Sequence, residues 1–150
     1  MATTGADWIF VDTNVLVAAN VATHPRHTAA LQRLKDLSAG GAEFWISRQV
    51  LREYLATLTR PQMFALPQPV SVLVTQVAYF QSKMKVADET AAVTANLLAL
   101  LQAVPLGGKQ VHDANLVATM KALGIARLLT DNIADFKRFG PLIVVLPLIP

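Results

Sequence analysis

The chain of 150 residues contains no cysteine. Disulfides, thiolate metal sites and cysteine nucleophiles are therefore excluded, and any bound metal must be held by carboxylates, histidines or other oxygen donors. Charge is sparse as well: Asp, Glu, Lys and Arg make up 15% of the residues against 53% hydrophobic. That balance is far from disorder. It suits one domain with a sizeable core and some apolar surface to spare for a partner. Continuous apolar runs of membrane-spanning length are missing. Stretch 61–82 is uncharged but contains Pro61, Pro67 and Pro69, and 90–108 contains Asn96, Gln102 and Pro105, so both read as buried or partner-facing helices. No basic segment followed by an apolar run opens the chain, which is expected to be cytoplasmic, with no membrane partner. No repeat, low-complexity tract or linker divides it, so residues 1–150 read as a single domain. There is no Gly-x-Ser-x-Gly elbow, and Gly107-Gly108-Lys109 lacks P-loop spacing. It reads as a turn whose Lys109 is a candidate phosphate contact.

What is present alternates between two periods. Trp8-Ile9-Phe10-Val11 is a short apolar run of β-formers and predicts a buried first strand that ends at Asp12-Thr13-Asn14. Val15 onward reads as a helix. Pro25 opens a second, with Ala30, Leu31, Leu34 and Leu37 on its stripe and Gly40-Gly41 at its end. Residues 43–46 predict strand two. Ser47 is the expected N-cap of helix 48–59, with Pro61 beyond it. Helix 70–81, a short strand at 84–86 and a helix over 89–104 capped by Asp88 follow. Then come a helix around Asp113 that stops near Gly124, a strand at 127–130, a short helix through Phe136 and a last strand at 142–145. Short apolar strands without polar alternation, separated by helices, indicate a sheet covered on both faces. The fold class expected is α/β, a three-layer α/β/α sandwich around a mainly parallel, roughly five-stranded sheet.

Asp113 conflicts with its surroundings. Leu116, Val117 and Met120 follow at three, four and seven residues, so an inward apolar face begins with a carboxylate. A buried ionised carboxylate is costly unless it is paired or binds a metal. Three further acids are placed to join it. Asp12 and Asp131 follow strands, where open parallel sheets bind ligands, and Glu53 lies in the third helix. Each has a simpler reading. Asp12 and Asp131 can cap the helices after them, and Glu53, on the flank of the Val50, Leu51, Tyr54 and Leu58 stripe, can face solvent or pair with Arg48 or Arg52.

Asp12-Thr13-Asn14 after the first strand, Glu53 after the second, Asp113 opening a late helix and Thr130-Asp131-Asn132 after the next strand together resemble the PIN-domain ribonucleases. The likeness is strongest to the VapC-like toxins of type II toxin–antitoxin pairs. It runs from Phe10 to Val145 and includes Asp135-Phe136. The resemblance implies that Asp12, Glu53, Asp113 and Asp131 are catalytic and hold Mg²⁺ or Mn²⁺. Asn132 is the alternative to Asp131 if the register shifts by one, and Asp135 is either a supporting group or a surface acid. Hard cations prefer such oxygens, relieve the repulsion between them and activate water against a phosphodiester. The implied activity is a Mg²⁺-dependent endoribonuclease leaving 5′-phosphate and 3′-hydroxyl ends. Thr13, Asn14 and Thr130 are expected to orient ligands or water.

With four of the ten acids in one site, thirteen basic residues face six acids elsewhere, a balance suited to an RNA substrate. Arg26, Arg48, Arg52, Lys109 and Arg138 are candidate contacts. His112 reads as a structural or substrate-contacting group rather than a base, His24 and His27 as exposed, and Phe44 and Trp45 as core. The resemblance further implies a homodimer and a cognate antitoxin protein, for which the 63–80 region and the apolar early helices are candidate surfaces. Two other functions compete. One is a PIN-like module that binds RNA or protein without cleavage. The other is a phosphatase with Asp12 as nucleophile, against which stands Asn14 at the position where haloacid-dehalogenase-type hydrolases carry a second acid.

Overall fold

A computed structural model describes residues 7–150, so the reading of the first six residues as free of a targeting signal lies outside the described residues. Strand β1 (Trp8–Val11) leads into α1 (Thr13–Asn20) and α2 (His27–Ala39), and β2 (Glu43–Ser47) into α3 (Arg48–Leu58) and α4 (Val70–Lys83). Then follow β3 (Lys85–Ala87), α5 (Ala91–Ala103), α6 (Gln110–Leu123), β4 (Arg127–Leu129), α7 (Ile133–Phe136) with a 3₁₀ turn at Lys137–Phe139, and β5 (Val144–Leu146). The strands form one sheet in the order β3-β2-β1-β4-β5, and every pairing is parallel.

Right-handed crossovers send α1–α4 to one face of such a sheet and α5–α7 to the other. The packing agrees: α1 lies on α2 and α3, while α6 lies on α5 and α7. The three-layer α/β/α expectation holds. Ile9, Phe10 and Val11 have no accessible surface, because a parallel strand covered on both faces buries every side chain. Chain direction across the sheet reverses between β1 and β4. Open α/β sheets make their crevice at such a switch point, beyond the carboxyl ends of the strands.

Local chemistry explains most boundaries. Ser47 Oγ accepts the Val50 N–H (3.3 Å) as the N-cap of α3, and Gly124 ends α6 with φ +72, a left-handed conformation that a Cβ makes costly. Two expectations need correction. Thr90, not Asp88, caps α5, because its hydroxyl accepts from Val93 N–H (3.4 Å) while Asp88 pairs with Arg48 (3.0 Å). The last strand begins at Val144 rather than 142, because the N–H groups of Leu142 and Ile143 both donate to Phe139 O (2.8 and 3.1 Å) in a turn.

Trp45 is half-buried, with its ring 5.1 Å from that of Trp8, and Phe44 packs on the core. Helix α1 is core from Val15 to Ala19, which removes it as a partner surface. On α4, by contrast, only Leu73 and Phe80 are buried; Val70, Val72, Val74 and Tyr79 are exposed, as are Met63 and Leu66 before it. No helix among the described residues is long and apolar enough to cross a membrane.

Tyr54 ties α3 to α4. Its ring is fully buried edge-on to Phe80 (5.0 Å), and its hydroxyl donates to Gln76 Oε1 (2.6 Å). Tyr54→Phe removes only the hydrogen bond and should cost about 1 kcal/mol. Tyr54→Ala also opens a cavity and should cost about 3–5 kcal/mol. Urea denaturation of the two variants checks the order.

Candidate active site

The site is built from the switch point outward. The Asp12 N–H donates to Leu129 O (3.0 Å), which extends the β1–β4 pairing by one residue and places the carboxylate at the sheet edge. Asp12 is buried, and three donors hold it: Thr13 N–H to Oδ1 (2.8 Å), and Thr130 Oγ1 (2.8 Å) and Asn14 Nδ2 (3.1 Å) to Oδ2. Asn14 also donates to Thr130 Oγ1 (3.1 Å) and accepts the Asp131 N–H at its Oδ1 (3.0 Å). Thr13, Asn14 and Thr130 thus knit the ends of β1 and β4 around one carboxylate. The cap reading of Asp12 is also correct, since its side chain opens α1.

Glu53 comes from α3, one turn beyond Gln49. Its Oε2 accepts from Thr13 Oγ1 (2.9 Å) and its Oε1 from Gln49 Nε2 (2.8 Å). The nearby arginines go elsewhere, Arg48 to Asp88 and Arg52 to Glu89 (both 3.0 Å), so Glu53 is neither solvated nor ion-paired as its simpler reading had it. Gln49 is a group that sequence reasoning missed. It is buried, donates to His112 O (2.8 Å) and accepts from Asn115 Nδ2 (2.7 Å), and so bolts α3 to the start of α6 where Asp113 sits. The available signal was spacing: Gln49 lies four residues before Glu53 on one helix face, and Asn115 two after Asp113.

Asp12, Glu53 and Asp113 line one cleft of about 680 Å³, together with Thr13, Asn14 and Asn132. Burial, then the charges of Glu53 and Asp113, push the Asp12 carboxyl from 3.8 to about 6 against the pull of its hydrogen bonds. Burial also raises Asp113 to about 6, followed by the charges of Asp135 and Glu53, with Arg138 and His112 opposing. Among the described residues Asp113 accepts no hydrogen bond, which leaves its oxygens free.

Asp131 stands apart. Its Oδ2 pairs with Arg26 Nε (3.2 Å), and its carboxylate does not line the cleft, whereas Asn132 does. Asp135 accepts a hydrogen bond from Asn132 and adds negative charge near Asp113. Lys109 and Arg52 reach the cleft wall, and His112 lines it while exposed at the start of α6. His24 and His27 are half-buried rather than exposed: His24 meets Phe64 (ring centroids 4.4 Å), and His27 Nδ1 contacts Ala18 O (2.9 Å).

The donor set fits a hard divalent cation in its chemistry: oxygens only, with carboxylates that repel one another and that a cation would relieve. It is not drawn together as a cage. Among the described residues, no three His, Asp or Glu side chains are grouped closely enough to hold one ion as they stand.

The raised carboxyls set a pH dependence. In the folded chain Asp113 keeps its proton to about 6, whereas unfolding frees it to dissociate near 3.8. The unfolded state therefore binds fewer protons over that window, and stability falls as pH rises from about 4 to about 6. In chelator, Asp113→Asn should melt above the wild type at pH values past 6, with the gap closing near pH 4, as read by thermal unfolding across pH.

Solved structures with a similar fold include VapBC2 from Rickettsia felis bound to a DNA fragment from its promoter, at 22% identity over 93% of this chain and 98% of that one, TM-score 0.66. Another is VapC20 from Mycobacterium tuberculosis, described as a sarcin-ricin loop cleaving toxin, at 24% identity over 80% and 86%, TM-score 0.60. A third is VapBC-1 from nontypeable Haemophilus influenzae, at 15% identity over 94% and 98%, TM-score 0.65. At these identities the likeness is one of fold. No curated protein matches the chain. The PIN domain family model matches residues 9–140, a span that includes all four acids and helices α1 to α7, and the chain belongs to the PIN domain family.

Proposed function

We propose that the protein is a Mg²⁺- or Mn²⁺-dependent endoribonuclease that hydrolyses RNA phosphodiesters, and that it is the toxin of a toxin–antitoxin pair. The observation that carries this is the single cleft that Asp12, Glu53 and Asp113 line from three separate parts of the chain, with the Asp12 and Asp113 carboxyls raised and Arg52, Arg60 and Lys109 on its wall. Such a site is poised for charge that only a cation supplies.

Asp12, Glu53 and Asp113 would hold the ion. Asn132, which lines the same cleft, would be the further oxygen donor, and Asp131 would join only by giving up Arg26. A bound divalent ion supplies Lewis acidity toward the scissile phosphate and the attacking water. The protein's part is positioning. Thr130, Asn14 and the Thr13 N–H fix Asp12, and Thr13 Oγ1 and Gln49 fix Glu53. Among the described residues Asp113 accepts no hydrogen bond, which leaves its Oδ atoms available to the ion. Lys109 and Arg52 hold the phosphate backbone at the rim.

Three further readings go with this one. VapBC and other toxin–antitoxin assemblies among the structures of similar fold support a cognate antitoxin as partner. The exposed apolar surface from Met63 to Tyr79 suits an amphipathic peptide or a second copy of this chain in a homodimer. The mildly basic balance supports action on RNA, and the cytoplasm is the compartment proposed for it.

Purified protein should cut labelled RNA in Mg²⁺ or Mn²⁺ and stop when EDTA is added. Asp113→Asn should lower kcat by at least about 100-fold, the scale of a disrupted metal site. Cleavage by Asp113→Asn at the wild-type rate would sink the assignment. Induced expression should arrest growth, and co-expression of the cognate antitoxin should relieve it; undisturbed growth at high expression counts against the toxin role.

A further inference from the structure

The cleft does not end at the acids. Beyond the C-terminus of α3 its wall continues through Thr57, Arg60, Gln62 and Phe64. Gln62 and Ala65 exchange backbone hydrogen bonds (Gln62 N–H to Ala65 O 2.8 Å, Ala65 N–H to Gln62 O 3.3 Å), which closes a two-residue turn with Met63 and Phe64 at its tip. The foot of the turn is pinned to α3. Gln62 Nε2 donates to Thr57 O and Gln68 N–H to Leu58 O, both at 2.8 Å. Met63 is fully exposed, and Phe64 is half-buried with part of its ring open to the cleft.

His24 braces that ring from α1's side, with centroids 4.4 Å apart and planes inclined at 64°. Its own state is set by geometry: Nδ1 accepts the Arg26 N–H (3.0 Å), which favours the neutral Nε2–H form, and burial lowers its pKa in the same direction. Arg60 lies on the same segment. Its Nε donates to Ala56 O (2.9 Å), and among the described residues no acid pairs with its guanidinium.

Phe64 packs partly on the core, and the rest of its ring lines the same cleft as the carboxylates and Arg60, which has no acidic partner among the described residues. Water meets an apolar face there at a cost. The chemistry that uses a ring face and a neighbouring cation together is the nucleotide: its base stacks on the ring and its phosphate meets the guanidinium. A paired base keeps both faces inside the helix and cannot use the site.

We infer that the Gln62–Ala65 turn is a subsite for one unpaired nucleobase, which stacks on Phe64 while Arg60 holds its phosphate. This rests on the nuclease reading for the identity of the ligand. A peptide seated on the turn would use Met63 and Phe64 as apolar bulk and would not need a ring.

That difference supplies the test. Fluorescence anisotropy follows binding of a labelled single-stranded oligoribonucleotide, and of the same strand in a duplex, in chelator on the Asp113→Asn background so that nothing is cut. Phe64→Ala and Phe64→Leu should each weaken single-strand binding about ten-fold or more, and Phe64→Trp should stay within about three-fold, the scale of one stacked base. Duplex binding should not change, and melting temperatures certify the fold. With an otherwise unaltered site in Mg²⁺, Phe64→Leu should raise KM and leave kcat nearly unchanged. Single-strand binding by Phe64→Leu equal to that of the parent overturns the subsite, as does equal loss toward duplex, or no single-strand binding by the parent. If RNA is cleaved and Phe64→Leu has no effect, the subsite fails and the nuclease stands. If binding depends on the ring but no RNA is cut in Mg²⁺ or Mn²⁺, the nuclease fails and the subsite stands.

Discussion

Everything in this molecule turns on one buried carboxylate at the place where the sheet reverses direction. Asp12 lies in a position that strips it of water, and an unsatisfied charge there would cost several kcal/mol. The fold meets that demand with Thr130 from β4's end, the Thr13 amide at the start of α1 and the Asn14 side chain. None of these is a cation. The hydrogen bonds hold the group without neutralising it, which is why its carboxyl remains pushed up to about 6. What remains is a fixed acceptor of charge at an open cleft.

The neighbouring groups repeat the pattern. Glu53 is tied by Thr13 and Gln49, both neutral, while the arginines beside it in sequence pair outward with Asp88 and Glu89. Positive charge is thus kept at the rim and out of the centre. Asp131 is the exception: a salt bridge from Arg26 engages its carboxylate and joins the loop after α1 to the end of β4. That bridge also orders the segment carrying His24, which braces Phe64 across the cleft. The acidic centre and the aromatic wall therefore share a support.

Sequence patterns reported the frame well where a local rule was strong. Ser47 as a cap and Gly124 as a helix stop were readable because each acts on backbone groups three or four residues away. Asp88 and Thr90 show the limit. Both residue types cap helices, and the choice went to Thr90 because Arg48, forty residues earlier, claims Asp88. The same limit applies to Glu53 and Asp131. Periodicity put one on the flank of a helix and the other after a strand, but their partners, Thr13 and Arg26, come from elsewhere in the chain.

The order of short apolar strands and amphipathic helices, the cysteine-free oxygen donor set and the misfit of Asp113 on an apolar face belonged to the sequence alone, because they depend on side-chain period and chemistry. Which acids share a cleft, that Gln49 and Asn115 lock α3 to α6, and that Phe64 and His24 form a wall opposite the carboxylates were decided only in three dimensions. Those contacts join residues 40 to 118 positions apart. Nothing in local propensity specifies such pairs; they exist because parallel crossovers bring separate chain ends to one edge of one sheet.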